Sequence, residues 1–273
     1  MAYMDILALL LSADGEEGAI AATNALTNMG GGLPRAILFQ IEPWLFEAPE
    51  SYMPPGAWND ISARAHEAFV QDEARLKAHL GRSWTISSIA APAGLIGERA
   101  GEAARYAELA VVGGPLTGLK RRLFEGVLFG SGRPLLVIPP DWKAGEIGRR
   151  IVIAWNGGRE AARAVAAATP LLEQADKVTI LTVVGEAEDE LARASPEALA
   201  AHLGRCGLTA ETRVVERRGR SEAEALTEEH RKFGADLIVM GGYGHARLQE
   251  IVFGGLTRAL IADAAAPPLL MAH

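Results

Sequence analysis

The sequence predicts an α/β protein made of two tandem, open, parallel five-stranded sheets with helices on both faces. Three observations carry this. Short apolar runs alternate with helix-compatible stretches along the whole chain, the pattern of parallel strands joined by helical crossovers. The order of elements starts again near residue 150. Glu108-Leu109-Ala110-Val111-Val112-Gly113-Gly114 also lines up with Asp236-Leu237-Ile238-Val239-Met240-Gly241-Gly242 at an offset of 128 residues.

In the first half, residues 6–11 are continuously apolar, the mark of a strand buried on both faces. Asp14-Gly15 reads as a turn, residues 17–29 as a helix stopped by Gly30-Gly31-Gly32, and residues 36–41 as a second strand. Residues 42–56 hold Pro43, Pro49, Pro54 and Pro55 and read as a loop. Its Trp44, Tyr52 and Met53, with Trp58 beyond it, suit a partner surface or burial beneath the loop equally well. A helix at 57–80, a strand at 84–90, a helix at 93–106, a strand at 109–114, a helix at 120–128 and a strand at 134–138 follow. Gly130-Ser131-Gly132 reads as the stop of the last of these helices.

The second half repeats the order: strand 150–155, helix 159–172, strand 177–184, helix 195–204, strand 211–216, helix 221–233, strand 237–242, a final helix and a strand at 268–271. Ser195-Pro196-Glu197 is a helix-start signal of cap, proline and acid. Pro134-Leu135-Leu136 matches Pro268-Leu269-Leu270 at an offset of 134, so the segment before the fifth strand is six residues shorter in the first half. The expected domains are 1–140 and 148–273, with a linker at about 139–148.

Length fits two domains, at roughly 100–200 residues each, and 49% hydrophobic residues imply a packed core. Up to Glu146 the chain carries 12 basic and 17 acidic residues, a net of -5; the remainder carries 15 and 17, a net of -2. Neither half has the basic surplus of a nucleic-acid binder. Lys120-Arg121-Arg122 reads as a solvated face or helix end. The single cysteine, Cys206, excludes an intrachain disulfide and a cysteine-based zinc site. The apolar run at residues 6–11 is too short to span a bilayer or to serve as a signal peptide, so no membrane association and a cytoplasmic location are expected.

The sharpest motif follows the fourth strand of the second half. Gly241-Gly242-Tyr243-Gly244 is followed by nine residues and then Gly254-Gly255, a G-x2-G-x9-G spacing between a strand and a helix. Glycines let a backbone approach an anion closely, and freed N–H groups with a helix N-terminus favour phosphate. His245 lies inside this loop and reads either as a phosphate donor or as a solvent-facing side chain.

Here the chain resembles the universal stress protein family, as two copies over nearly its whole length. The resemblance rests on Ile153-Ala154-Trp155-Asn156-Gly157, Glu160-Ala161-Ala162-Arg163-Ala164-Val165, Val239-Met240-Gly241-Gly242-Tyr243-Gly244-His245 and Pro268-Leu269-Leu270-Met271. It implies a Rossmann-like fold and a stress-response or regulatory role. It also implies an adenine nucleotide such as ATP, with phosphates at Gly241, Gly244 and Gly254, ribose or metal near Asn156, and adenine near Val183. Two departures weaken that implication. Gly255 stands where the ATP-binding branch has Ser or Thr, with Thr257 two residues away, and Asn156 stands where it has Asp. A neutral amide is a poorer magnesium ligand than a carboxylate.

The first half departs further: Pro115 and Leu116 follow Gly113-Gly114, and the spacing is lost. Weak binding once per chain, in the second half, is therefore expected. The family resemblance also implies an internal pseudo-dimer joined through the fifth strands, and leaves a homodimer and an unidentified protein partner open. No base–nucleophile constellation, metal-ligand spacing or P-loop lysine is present in the sequence, so no catalytic residue and no metal site are assigned. A nucleotide-independent interaction module on the same fold is the alternative reading.

Overall fold

A computed structural model describes residues 2–42, 57–142, 145–185, 195–242, 255–263 and 266–273. The elements run β1 (Asp5–Leu10), α1 (Glu17–Gly30), β2 (Leu33–Glu42), α2 (Ala57–Leu80), β3 (Thr85–Pro92), α3 (Ile96–Ala104), β4 (Leu109–Gly113), α4 (Gly118–Gly130) and β5 (Leu135–Ile138). The second half follows with β6 (Arg150–Ala154), α5 (Arg159–Leu172), β7 (Lys177–Val184), α6 (Pro196–Arg205), β8 (Glu211–Glu216), α7 (Glu222–Phe233), β9 (Leu237–Gly241), α8 (Gly255–Ala262) and β10 (Leu269–Ala272). The loop expected at 43–56, with Trp44, Tyr52 and Met53, lies outside the described residues.

The two expected sheets are continuous. The strand order is β3-β2-β1-β4-β5-β10-β9-β6-β7-β8. Every pairing within a half is parallel. The halves join where β5 meets β10 antiparallel, with Leu269 opposite Val137, Leu270 opposite Leu136 and Met271 opposite Leu135. Both strands are fully buried, so this junction is core. An antiparallel pair of equivalent strands is a local twofold, as the family resemblance implied.

Alternation along each strand feeds two cores, one per sheet face. Ile6, Ala8 and Leu10 point to the face covered by α1, α2, α5 and α6. Leu7 and Leu9 point to the face covered by α3, α4, α7 and α8. Each core crosses the β5–β10 junction, through Leu136 and Leu270 on one face and Leu135, Val137, Leu269 and Met271 on the other. Tyr3 ties the halves further by donating to the Ala167 carbonyl of α5 at 2.6 Å.

An acidic residue before the fourth strand fastens the start of the first strand in both halves. Glu108 Oε2 accepts from the Met4 and Asp5 amides, and Asp236 accepts from Gly148, Arg149 and Arg150. Helix ends follow local chemistry. Ser221 and Glu224 form a reciprocal capping box at α7, and Gly234 closes that helix at φ 59°. Pro170 inside α5 has no N–H for the Ala166 carbonyl, and Thr169 Oγ1 donates to it instead at 2.9 Å. Ser195 departs from expectation: α6 starts at Pro196, but Ser195 sits at φ 34° and makes no side-chain capping bond.

Two glycine contacts set helix positions. A Cβ on Gly126 of α4 would lie 1.8 Å from the Gly97 carbonyl oxygen of α3, so these helices cross at backbone contact. A Cβ on Gly241 would lie 2.5 Å from the Ala161 amide nitrogen, so β9 ends directly against the first turn of α5.

Candidate functional site

In an open parallel sheet, ligands gather outside the carboxyl ends of strands where the chain order reverses. In the second half that point lies between β6 and β9, because β7 and β8 extend to one side and β9 and β10 to the other. A small cleft, open to solvent, sits there. Ala154, Leu181, Val183, Leu226, Met240 and Leu256 make its apolar lining, and Trp155, Asn156, Glu222 and Gly241 complete it.

Three sequence-predicted residues therefore meet: Asn156 after β6, Val183 on β7 and Gly241 at the end of β9. Gly255 opens α8, whose second residue, Leu256, lines the cleft, so the amino end of that helix faces the site. Gly244, His245 and Gly254 lie outside the described residues. Thr257 is only 3% exposed and does not line the cleft.

The described glycines of the motif have structural duties. Gly241 admits α5, as above. A Cβ on Gly242 would come within 3.0 Å of the Leu128 side chain of α4, so this glycine admits the other half. Its N–H donates to the Ala272 carbonyl at 2.8 Å, and its carbonyl is 2.9 Å from His273 Nδ1. The His273 ring in turn meets Phe129 of α4 edge-on, with centroids 5.0 Å apart. The Gly242 amide is thus committed to the sheet, as Gly114 is in the first half, where its N–H donates to Ile138 at 2.7 Å.

Asn156 also acts locally. Its Oδ1 accepts from the Gly158 amide at 2.9 Å, and Gly157 takes φ 72°, which together turn the chain from β6 into α5. Glu160 is buried beneath this turn and paired with the exposed Arg159. Burial raises the Glu160 carboxyl pKa, but the Arg159 hydrogen bond and the residue's own amide outweigh it, leaving the group below its ordinary range. Among the described residues there is no cluster of three or more His, Cys, Asp or Glu able to hold a metal ion.

At the end of β4 the first half holds a buried ion pair. Glu16, buried before α1, has one oxygen 3.3 Å from where a Gly113 Cβ would be and accepts from the Leu11 amide at 3.2 Å. Lys120 of α4 reaches Glu16 Oε2 at 3.0 Å and the Gly114 carbonyl at 3.4 Å. Of the two readings of Lys120-Arg121-Arg122, a helix end agrees with its place in the first turn of α4, whereas a solvated face does not hold for Lys120, whose side chain is 16% exposed and belongs to a buried ion pair.

The sequence did not single out Glu222, Leu226 or Met240. Met240 adjoins Gly241. Glu222 and Leu226 stand four apart on α7, hence on one helix face, and that spacing was the available signal. Among the described residues no helix is long and apolar enough to cross a membrane.

Residues 148–272 match the model of the Universal stress protein family. A universal stress protein from Archaeoglobus fulgidus DSM 4304 aligns with 97% of this chain and 95% of its own, at 15% identity and a TM-score of 0.67. A functionally unknown protein from Pseudomonas aeruginosa PAO1 aligns over 99% of this chain and 92% of its own, at 15% identity and a TM-score of 0.58. These likenesses show the fold. No curated protein matches the chain.

Proposed function

We propose, from the premise that residues 148–272 are a universal stress protein family domain, that the chain is a tandem regulatory protein of that family. The proposed units are residues 1–140 and 148–273. In this reading the cleft of the second half takes one adenine nucleotide weakly and the first half takes none. The observation that carries it is the meeting of Asn156, Val183, Gly241 and the amino end of α8 around one apolar cleft. An apolar lining suits a base, and a helix N-terminus suits phosphate. Gly244, Gly254, Gly255 and His245 would supply the remaining phosphate contacts.

The copurified small molecules test this. Denaturing the purified protein and analysing the supernatant should release adenine nucleotide at no more than one per chain. Calorimetry with AMP and ATP then measures affinity on nucleotide-free protein. Absence of both released and titratable nucleotide overturns the reading.

The second reading is a nucleotide-independent interaction module. It is favoured by Gly241 and Gly242, whose lack of side chains is already accounted for by Ala161 and Leu128. The same supernatant assay separates the two.

A further inference from the structure

We propose that the amino-terminal end of the first-half strands is a docking surface for a second copy of this chain, whose residues 43–56 seat on it. The inference stands apart from the nucleotide reading.

Four large apolar side chains are exposed at this end: Tyr106 at 77%, Leu33 at 66%, Met4 at 52% and Phe129 at 47%. Single exposed apolar residues are ordinary, but a contiguous patch marks an interaction surface. Hydrogen bonds link these four into one surface. The Leu33 amide donates to the Met4 carbonyl at 2.7 Å, and the Met4 amide donates to Glu108. Arg35, paired with Asp5, donates to the Tyr106 carbonyl at 3.2 Å. Arg105, beside Tyr106, donates to the carbonyl of Gly130, beside Phe129.

The fold does not require apolar residues there. In the second half the Leu33–Met4 bond recurs between the Lys177 amide and the Arg149 carbonyl, at 3.1 Å. By the strand registers and the Glu108–Asp236 alignment, Met4, Leu33 and Tyr106 correspond to Arg149, Lys177 and Gly234. The apolar patch therefore belongs to one half only. It is also basic. Arg105 and Arg133 donate to the Gly130 and Arg105 carbonyls, and no carboxylate among the described residues pairs with either. With Arg35 against Asp5 and Glu108, three positive and two negative side chains leave a net of +1.

The sequence supplies the matching segment. Residues 43–56, outside the described residues, hold Trp44, Leu45, Phe46, Tyr52 and Met53 with Glu47 and Glu50, and no Lys, Arg or His. An apolar, acidic segment complements an apolar, basic surface. The same copy cannot deliver it. β2 leads away from Leu33 for ten residues, ~33 Å at ~3.3 Å each, and α2 leads back over 24 residues to β3, which starts beside β2. Both anchors of the segment thus stand at the far end of the sheet. Fourteen residues held at both ends reach out by at most half their contour, roughly 25 Å. A second copy is free of that limit, and a twofold pair makes the contact twice.

Sedimentation velocity over a range of concentrations tests this, with thermal melting to show that each variant is folded. The wild type should shift from monomer to dimer as concentration rises, and less so in high salt. Leu33→Ser with Tyr106→Ser should stay monomeric, and so should Trp44→Ser with Phe46→Ser. A mixture of the two double variants should associate again, because each supplies the part that the other lacks. A synthetic peptide of residues 43–56 needs no change in the chain: in excess it should dissociate the wild-type dimer and fail to bind the Leu33/Tyr106 variant. A wild type that is monomeric throughout overturns the inference, as does a dimer that survives the Leu33 and Tyr106 changes. A dimer that survives the Trp44 and Phe46 changes, or a mixture that stays monomeric, overturns residues 43–56 as the occupant.

Discussion

The Lys120 ammonium lies 3.0 Å from the Glu16 carboxylate, joining residues 104 apart in the chain, with Glu16 1% and Lys120 16% exposed. The pair spans α4 and the approach to α1, and it lies against Gly113 at the end of β4. Burial raises the Glu16 pKa above its ordinary 4.5, and Lys120 opposes that rise.

Lys120→Met should strand the buried carboxylate and destabilise the protein by about 3–5 kcal/mol in urea unfolding at pH 7. A group with a raised folded pKa lends stability below its unfolded value and loses it as pH rises through the folded value. The deficit of Lys120→Met should therefore grow from below pH 4.5 upward. Glu16→Gln combined with Lys120→Met should recover most of it.

Gly126→Ala should destabilise by about 1–3 kcal/mol or more, because the added methyl meets backbone atoms that cannot rotate away. Gly130→Ala, in the same helix with open space around it, should be neutral or stabilising by up to about 1 kcal/mol. Thermal melting of the two variants side by side checks this contrast.

His230 is buried, and its Nε2 has no hydrogen-bond partner among the described residues. Burial, then the charge of Arg231, lower its pKa below 6.5, against a smaller opposing effect of Asp263. A depressed folded pKa means stability that is present above the unfolded value and lost as pH falls through the folded one. Urea unfolding from pH 8 to pH 5 should show stability falling below about pH 6.5. His230→Leu should flatten the curve in that window.

Gly255→Ser should tighten nucleotide binding about 10- to 150-fold if it adds a charge-assisted hydrogen bond. Thr257, the nearby hydroxyl, is 3% exposed. Gly244→Val should abolish binding. Calorimetry on both, with the titrated stoichiometry, also checks that the wild type has one site per chain; two sites, or unchanged affinity in Gly244→Val, would show the site is misplaced.

The fold was legible because apolar runs of strand length and helical periods record burial directly. The ends of β6, β7 and β9 were legible for the same reason, and with them Asn156, Val183 and Gly241. The duties of Gly241 and Gly242 were not. A glycine that admits phosphate and one that admits a neighbouring helix look alike in sequence, and only the 2.5 Å approach to Ala161 tells them apart. Glu222 was passed over because a first-turn glutamate is ordinary at a helix start.

What the sequence by itself determined is the order of strands and helices, the repeat of that order and the cleft-forming strand ends, since each follows from local periodicity and turn chemistry. Only the tertiary structure decided that β5 and β10 fuse the halves into one sheet, that Lys120 neutralises Glu16, and that α7 brings Glu222 to the cleft. Those relations join residues far apart in the chain, and their energies arise from burial and close contact that no local pattern encodes.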